Sequence, residues 1–202
     1  MHAAEYERIF VELFGHQPKE QDRYNEAELE VAETRLGHSI PPPLRQYDLS
    51  MGKHDLNSAH NRLFPPHELI VEDHHVEFLQ ENQSVCSWAY KDGVSVDNPI
   101  VHQGYEGEWH PENLKLAEFL ELMIYLQCVW GGLPIAGDHI QIEALLKVLE
   151  SEWDLVANDN GLRIWQKDGR LISHLDGDSI CAGSAADEDS FALLSEFGFE
   201  LQ

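Results

Sequence analysis

Apolar residues in the first part of the chain recur at helical spacing. One apolar stripe predicts a helix over residues 3–14. Asn25 and Glu28 stand three residues apart, as in a capping box, and predict a second helix that begins at this point. Gly37 is the residue type expected just beyond the end of that helix. The prolines that follow predict the start of a short third helix over residues 41–47.

Beyond residue 65 the period of the pattern changes from helical to alternating. Apolar and polar residues alternate, which is typical of strands with one buried face. The predicted strands lie at residues 76–78, 86–90 and 100–101 and near Trp109. A strongly amphipathic helix is predicted to follow over residues 114–129.

The run Gly131-Gly132-Leu133-Pro134 interrupts the pattern and is the best candidate for a domain boundary. The pattern after it predicts helices over 139–150 and 188–197 and, between them, strands at 152–157, 162–166, 170–175 and 179–184. Asp168-Gly169 is the dipeptide expected in a tight hairpin turn.

These elements predict an α+β fold with a mixed, largely antiparallel sheet flanked by helices and a C-terminal α-β-β-β-β-α appendage. The predicted domains are an N-terminal helix at 1–20, an α+β core at 21–130 and the appendage at 137–202.

The chain carries 37 acidic and 13 basic residues, for a formal net charge of −24. Nucleic acids and anionic membranes are polyanions that bind through Lys and Arg, so both are expected to be repelled. A basic protein is the partner that such a field attracts and steers. The alternative is that the charge only keeps the chain soluble and monomeric.

The three cysteines are far apart and lack a CxxC partner. This pattern predicts a reducing compartment, with Cys86, Cys128 and Cys181 as small buried hydrophobic residues. No signal peptide and no apolar stretch of about 18 residues is present. We therefore expect a cytoplasmic protein.

No sequence motif for a nucleophile, a phosphate-binding loop or a metal-binding helix occurs in the chain. We therefore expect no catalytic residue, no cofactor, no metal and no enzymatic activity. The residues from His54 to His75 include five histidines, and a metal-dependent hydrolase built on this run is the less favoured alternative. Glu106 and Glu108 would share a face if they lay in one strand, a geometry that could serve acid–base catalysis, but a solvated acidic face is the favoured explanation.

An ordered set of short motifs resembles the SUKH superfamily, which includes bacterial immunity proteins of toxin systems and a fungal regulator of cell-wall synthesis. The matching residues are Ala27-Glu28 and Leu36-Gly37 of one helix, Ile40-Pro41, Leu44–Tyr47, Leu56, Pro66–Leu69, Val76–Gln83 with its Glu-Asn-Gln turn, Trp88–Tyr90, Asn98–Val101, Trp109 and the Leu116–Leu120 helix.

This resemblance implies a non-catalytic α+β module that binds protein partners. An immunity protein would neutralise a basic toxin, such as a secreted nuclease, by occluding its active site. The loop and edge residues expected to form the partner-binding face are Glu81, Gln83, Asp97, Glu106, Glu108 and Trp109. A regulatory or scaffolding protein that binds an endogenous partner remains the main alternative.

Overall fold

The computed structural model of the chain describes residues 3–93, 96–140 and 142–201. Contacts group these residues into two compact units. The first unit contains residues up to Arg8 and Pro18–Glu121, and the second contains Ile9–Gln17 and the residues from Leu122 onward. The predicted domain limits stay a prediction, because compactness alone does not show which segments fold independently.

Helices and antiparallel strands occur in both units, which confirms the predicted α+β class. The helices are α1 (Ala3–Phe14), α2 (Glu26–Leu36), α3 (Pro42–Met51), α4 (Leu116–Gln127), α5 (Ile142–Glu152) and α6 (Glu188–Glu196). The strands are β1 (Arg62–Leu63), β2 (Ile70–Glu72), β3 (His75–Gln80), β4 (Ser87–Lys91), β5 (Ile100–Tyr105), β6 (Glu108–Lys115), β7 (Ile135–His139), β8 (Asp154–Asp159), β9 (Leu162–Lys167), β10 (Arg170–Leu175), β11 (Cys181–Ala185) and β12 (Glu200–Leu201). Within the described ranges, no helix has both the length and the apolar character needed to cross a bilayer.

The sheet of the first unit has the order β1-β3-β4-β5-β6, and β2 pairs with β3 as well. All of these pairings are antiparallel. One face of the sheet packs against α4: the ring of Phe119 lies 5.9 Å edge-on from that of Phe78 and 5.8 Å from that of Trp88. Alternation along β3 then turns Glu77 to the other face, where its side chain is half-buried.

The sheet of the second unit has the order β12-β7-β11-β10-β9-β8 and is also antiparallel. The predicted α-β-β-β-β-α order is present as α5-β8-β9-β10-β11-α6. Along the chain, β7 precedes this set and β12 follows it, and in the sheet the two strands pair with each other. Leu149 of α5 and Trp165 of β9 are buried in the core that the helices form with this sheet.

Several local predictions are confirmed in atomic detail. The Asn25 side chain accepts a hydrogen bond from the Glu28 N–H at 3.0 Å, and the Glu28 carboxylate accepts one from the Asn25 N–H at 2.9 Å. Gly37 ends α2 with a φ of +81°, the left-handed conformation that glycine adopts at little cost. Asp168 and Gly169 both have positive φ, as a tight hairpin turn requires.

Two predictions of local structure are wrong. A helix was expected from residue 139, but β7 continues through His139 and α5 begins at Ile142. This segment is a strand because it lies between β11 and β12 and pairs with both of them, which outweighs its weak local preference. The expected loop over 52–64 contains a 3-10 turn at Asp55–Ser58 and the short strand β1.

Asp48 of α3 is a buried carboxyl group, and its side chain is expected to limit the stability of the protein. The residue is 1% exposed, and its Oδ1 atom has no hydrogen-bond partner. Burial raises the pKa of Asp48 well above its ordinary value of 3.8, so folding requires the carboxyl group either to keep a proton or to bury a charge. We expect Asp48→Asn to increase the free energy of unfolding at pH 7 by about 1–3 kcal/mol, because the amide of nearly the same shape carries no charge.

The pH dependence provides the control for this prediction. Below about pH 3.8 the folded and unfolded states both hold the proton, so the variant and the wild type are expected to differ little. Above that pH the unfolded state releases the proton while the folded state retains it, so the wild type loses stability as pH rises. Urea unfolding between pH 4 and pH 8 measures the difference, and a constant gap across this range would contradict the explanation.

Candidate functional site

An acidic groove lies on the first unit, where the turns that connect its strands come together. Its volume is about 280 Å³. We call this site the acidic groove. It is lined by Glu72, Asp73, Glu77, Gln80, Ser84, Val85, Cys86, Ser87, Gly104, Tyr105, Glu106, Gly107, Glu108 and Trp109.

The groove carries charge of one sign only. Five of its lining residues are Asp or Glu, and no Lys or Arg occurs among the lining residues that the structure describes. The carboxylates come from three places in the chain: the end of β2 and the turn after it, the middle of β3, and the turn that leads into β6. A cleft lined by one sign of charge concentrates the field inside it, so the groove is suited to attract cations.

Two tight turns place the acidic residues at the rim of the groove. Asp73 and His74 have φ values of +45° and +61°, and Glu106 and Gly107 have φ values of +52° and +82°. Consecutive left-handed residues are typical of the tightest hairpin turns. The condition under which Glu106 and Glu108 would share a strand face is not met, because Glu106 lies in the turn and β6 begins at Glu108, yet both residues line the groove.

Trp109 of β6 forms the aromatic part of the groove. Its cross-strand partner on β5 is Gly104, and a Cβ atom added to Gly104 would lie 2.8 Å from Cζ3 of the indole. The indole also stacks on the imidazole of His75, with ring centroids 4.7 Å apart and an interplanar angle of 19°. The absence of a side chain at Gly104 therefore lets the indole lie close against the sheet.

A pair of histidines supports the indole. The rings of His75 and His102 are 4.9 Å apart, and Nδ1 of His75 lies 2.9 Å from the carbonyl oxygen of Asp73. Burial lowers the pKa of His102, and the neighbouring His75 and Lys91 lower it further. A neutral His102 adds no positive charge beside His75 and Trp109.

Glu77 and Glu72 form a carboxyl pair inside the groove. Burial raises the pKa of Glu77, a hydrogen bond with Glu72 raises it further, and a hydrogen bond with Ser87 acts in the opposite direction. Two carboxyl groups close together disfavour the charged form, whereas a bound ammonium or guanidinium group would favour the charged form of Glu77.

Substitution of Gly104 is expected to disturb the groove without changing its charge. Gly104→Ala places a methyl group too close to the Trp109 ring, so the indole must shift and its stacking on His75 must change. We expect a loss of about 1–3 kcal/mol in the free energy of unfolding from this overpacking. The ring protons of His75 should also shift in the NMR spectrum, because the ring current of the displaced indole acts on them from a different position, and unshifted His75 resonances would contradict this account.

The structure separates the predicted partner-binding residues into two groups. Glu106, Glu108 and Trp109 line the acidic groove, whereas the other three do not. Glu81 stabilises the turn between β3 and β4 by accepting hydrogen bonds from the N–H groups of Gln83 and Val85 at 2.8 and 3.2 Å. Gln83 is exposed in this same turn. Asp97 is exposed ahead of β5.

Three acidic residues of the groove were missed by sequence reasoning: Glu72, Asp73 and Glu77. They were missed because the short strand β2 was not predicted, and its pairing with β3 places Glu72 opposite His75. A signal is present in the chain, since an Asp-His dipeptide separates two short runs that each contain valine and glutamate. The dipeptide lacks the glycine that usually marks such turns.

The histidines between residues 54 and 75 have separate local roles. Nδ1 of His54 accepts a hydrogen bond from the Leu56 N–H at 3.1 Å, and Nδ1 of His60 lies 3.2 Å from the side-chain amide nitrogen of Asn82. His75 stacks on Trp109. Across residues 3–93, 96–140 and 142–201, no group of three or more His, Cys, Asp or Glu side chains is placed to hold a metal ion. The hydrolase hypothesis therefore gains no metal-binding geometry from these residues.

The cysteines only partly follow the prediction. Cys128 and Cys181 are fully buried, as expected, and burial raises the pKa of both thiols, that of Cys181 to about 11. Cys86 differs, because it lines the groove and is only partly buried. Its Sγ atom accepts a hydrogen bond from the side-chain amide nitrogen of Gln103 at 3.4 Å. Burial raises the pKa of Cys86 as well, which keeps its thiol protonated.

Comparison of the chain with protein-family models, with curated proteins and with solved structures gave no match.

Proposed function

We propose that this chain is a non-catalytic, cytoplasmic module that binds a basic protein in its acidic groove. The observation that carries the proposal is the lining of the groove, which combines five carboxylic acids with an aromatic centre. The net charge of −24 supports it, because a field of this size accelerates the approach of a positively charged partner.

The groove also has the layout expected of a protein-binding hot spot. Such sites combine a partly buried aromatic anchor with a polar rim. Here Trp109 and the 45%-exposed Tyr105 provide aromatic surface, and the exposed Val85 adds an aliphatic contact. Glu106 and Glu108 provide the rim on the same side. Lys or Arg side chains of a partner can pair with the rim while their alkyl stems cover the aromatic rings.

The proposed role is neutralisation of a toxin. A nuclease holds phosphate groups with Lys and Arg, so its active site is basic and is complementary in charge to the acidic groove. Insertion of acidic turns into such a site would occlude it without any bond being made or broken. The resemblance to SUKH immunity proteins supports the same role, and the segment Val76–Gln83 that carries part of this resemblance includes Glu77 and Gln80 of the groove.

Affinity capture from the native cell tests the proposal with matched baits. The groove variant is Glu106→Lys with Glu108→Lys, and the control with the same change of net charge is Glu30→Lys with Glu196→Lys, two exposed positions outside the groove lining. Mass spectrometry should identify a basic protein that the wild type and the control retain and the groove variant loses. Retention of every basic partner by the groove variant would refute the proposal.

The identity of the captured protein separates the two binding roles. A secreted toxin whose activity falls when the chain is added supports immunity. An endogenous cellular protein whose activity the chain does not block supports the regulatory or scaffolding role, which would use the same groove.

Binding in the groove is expected to weaken as pH falls. Because the pKa of Glu77 is raised, this carboxylate loses its charge at a higher pH than an ordinary glutamate does. Protonation of the twelve histidines also reduces the net negative charge of the chain below about pH 6. The affinity for the captured partner should therefore be lower at pH 5.5 than at pH 8. Calorimetry at the two pH values measures this difference, and equal affinities would contradict it.

A further inference from the structure

A second surface of interest lies at one end of the sheet in the second unit. His139, Cys181 and His174 are partners in one row across β7, β11 and β10. The next residues along these strands are Ile140 after β7, Ile180 before β11 and Leu175 at the end of β10. Because the three strands are neighbours, these three apolar residues follow the row at the same end of the sheet. We call them the apolar patch.

The members of the apolar patch are large apolar side chains that are exposed. Ile140 is 75% exposed, Ile180 is 47% exposed and Leu175 is 46% exposed. Leu162, the cross-strand partner of Leu175 on β9, is half-buried and extends the patch by one strand. Single exposed apolar residues are ordinary, whereas contiguous apolar surface with a polar rim marks an interaction site.

Carboxylates surround the apolar patch. Asp176 and Asp178 lie in the turn that connects Leu175 to Ile180, and both are exposed. On the other side, Asp138 of β7 and Glu200 of β12 are cross-strand partners two residues before Ile140 along β7. The nearby guanidinium of Arg163 is already paired with Asp176 at 2.8 Å and lies 3.8 Å from Glu150. The rim is therefore acidic.

The charge of the rim selects among possible occupants. A second copy of this chain would bring two acidic rims together, and like charges across an interface are costly. An anionic membrane would be repelled for the same reason. A segment with apolar side chains flanked by Lys or Arg can pack its apolar side chains on the patch and pair its charges with the acidic rim.

We propose that the apolar patch at Ile140, Leu175 and Ile180 is a docking surface for a cationic amphipathic segment of another protein. This proposal is independent of the acidic groove, because every residue of the patch belongs to the second unit and every groove residue belongs to the first. Apolar contacts would provide most of the affinity, and the acidic rim would orient the segment and exclude anionic competitors.

Methyl NMR with defined peptides tests the proposal on the full chain. The probe is a seven-residue peptide of alternating lysine and leucine. One control peptide replaces each lysine with glutamate, and the other replaces each leucine with serine. The methyl resonances of Ile140, Leu175 and Ile180 should shift in a saturable manner with the lysine–leucine peptide and remain unchanged with both controls.

Variants of the patch connect these shifts to specific side chains. Ile180→Ser should lower the affinity measured at the Ile140 and Leu175 methyls about tenfold, the expected cost of one lost apolar contact. Val31→Ser, at a 68%-exposed position of the first unit, should leave that affinity unchanged. Leu175→Ser, read at the Ile140 methyl, provides a second variant if Ile180→Ser alters the fold.

Three results would overturn the proposal. The patch methyls could fail to shift with the lysine–leucine peptide. They could respond equally to the glutamate–leucine peptide, which would remove the role of the rim. They could instead shift with protein concentration alone, which would identify a second copy of the chain as the occupant.

Discussion

Replacement of both Glu106 and Glu108 with lysine is expected to weaken the binding of the proposed basic partner by about a hundredfold at low ionic strength. Both residues line the acidic groove, and the Glu108 side chain is 80% exposed. Each substitution removes an attraction and adds a repulsion of similar size, so its effect exceeds that of neutralisation. The loss should appear mainly as slower association, because charges at the rim act on the approach of the partner.

Salt and a neutral variant provide the controls for this prediction. Raising the ionic strength from about 0.01 M to 0.15 M shortens the screening length from about 30 Å to 8 Å, so the difference between variant and wild type should shrink. Glu106→Gln with Glu108→Gln should produce a smaller loss than the lysine pair. Stopped-flow association rates measure both effects, and identical rates for the wild type and the lysine variant would exclude these two residues from the binding site.

Leu149→Ala is expected to destabilise the second unit by about 2–5 kcal/mol. Leu149 of α5 is fully buried in the core that contains Trp165 and Phe191. Truncation to alanine removes apolar contacts and leaves a cavity that the surrounding sheet and helices can fill only in part. Leu193→Ala on α6 is the matched control, because Leu193 is 43% exposed and its loss should cost less than about 0.5 kcal/mol.

Urea unfolding followed by tryptophan fluorescence measures this effect and tests the predicted domain limits. Trp153 and Trp165 report on the second unit, whereas Trp88 and Trp109 report on the first. If residues 137–202 form an independent domain, Leu149→Ala should lower the urea midpoint of the transition reported by Trp153 and Trp165 alone. A cost below about 1 kcal/mol would contradict the packing argument.

Local features of the fold could be predicted because a few neighbouring residues decide them. The capping box at Asn25 and Glu28 forms from groups three residues apart, and Gly37 needs only its own backbone freedom. The turn at Asp168-Gly169 also depends on two adjacent residues. The segment around His139 was predicted wrongly because two strands distant in sequence, β11 and β12, determine its conformation.

The candidate groove was predictable only in part for the same reason. Three of its residues, Glu106, Glu108 and Trp109, are close together in the sequence, so a local pattern was sufficient to predict them. Glu72 and Glu77 come from β2 and β3, and they reach the groove through strand pairing that no local pattern specifies. Glu81 looked like a surface carboxylate for a partner, yet its oxygen is occupied by two backbone N–H groups of its own turn.

The sequence by itself determined the net negative charge of the chain, its α+β class and the local caps and turns, because composition and short-range spacing are sufficient for these properties. Only the tertiary structure decided where that charge is concentrated. Strand pairing brings carboxylates from separate segments to one groove and leaves Ile140, Leu175 and Ile180 exposed at the same end of one sheet. Long-range pairing has this role because it sets which side chains distant in sequence become neighbours. That pairing depends on the contacts of the whole chain, so no short stretch of sequence specifies it.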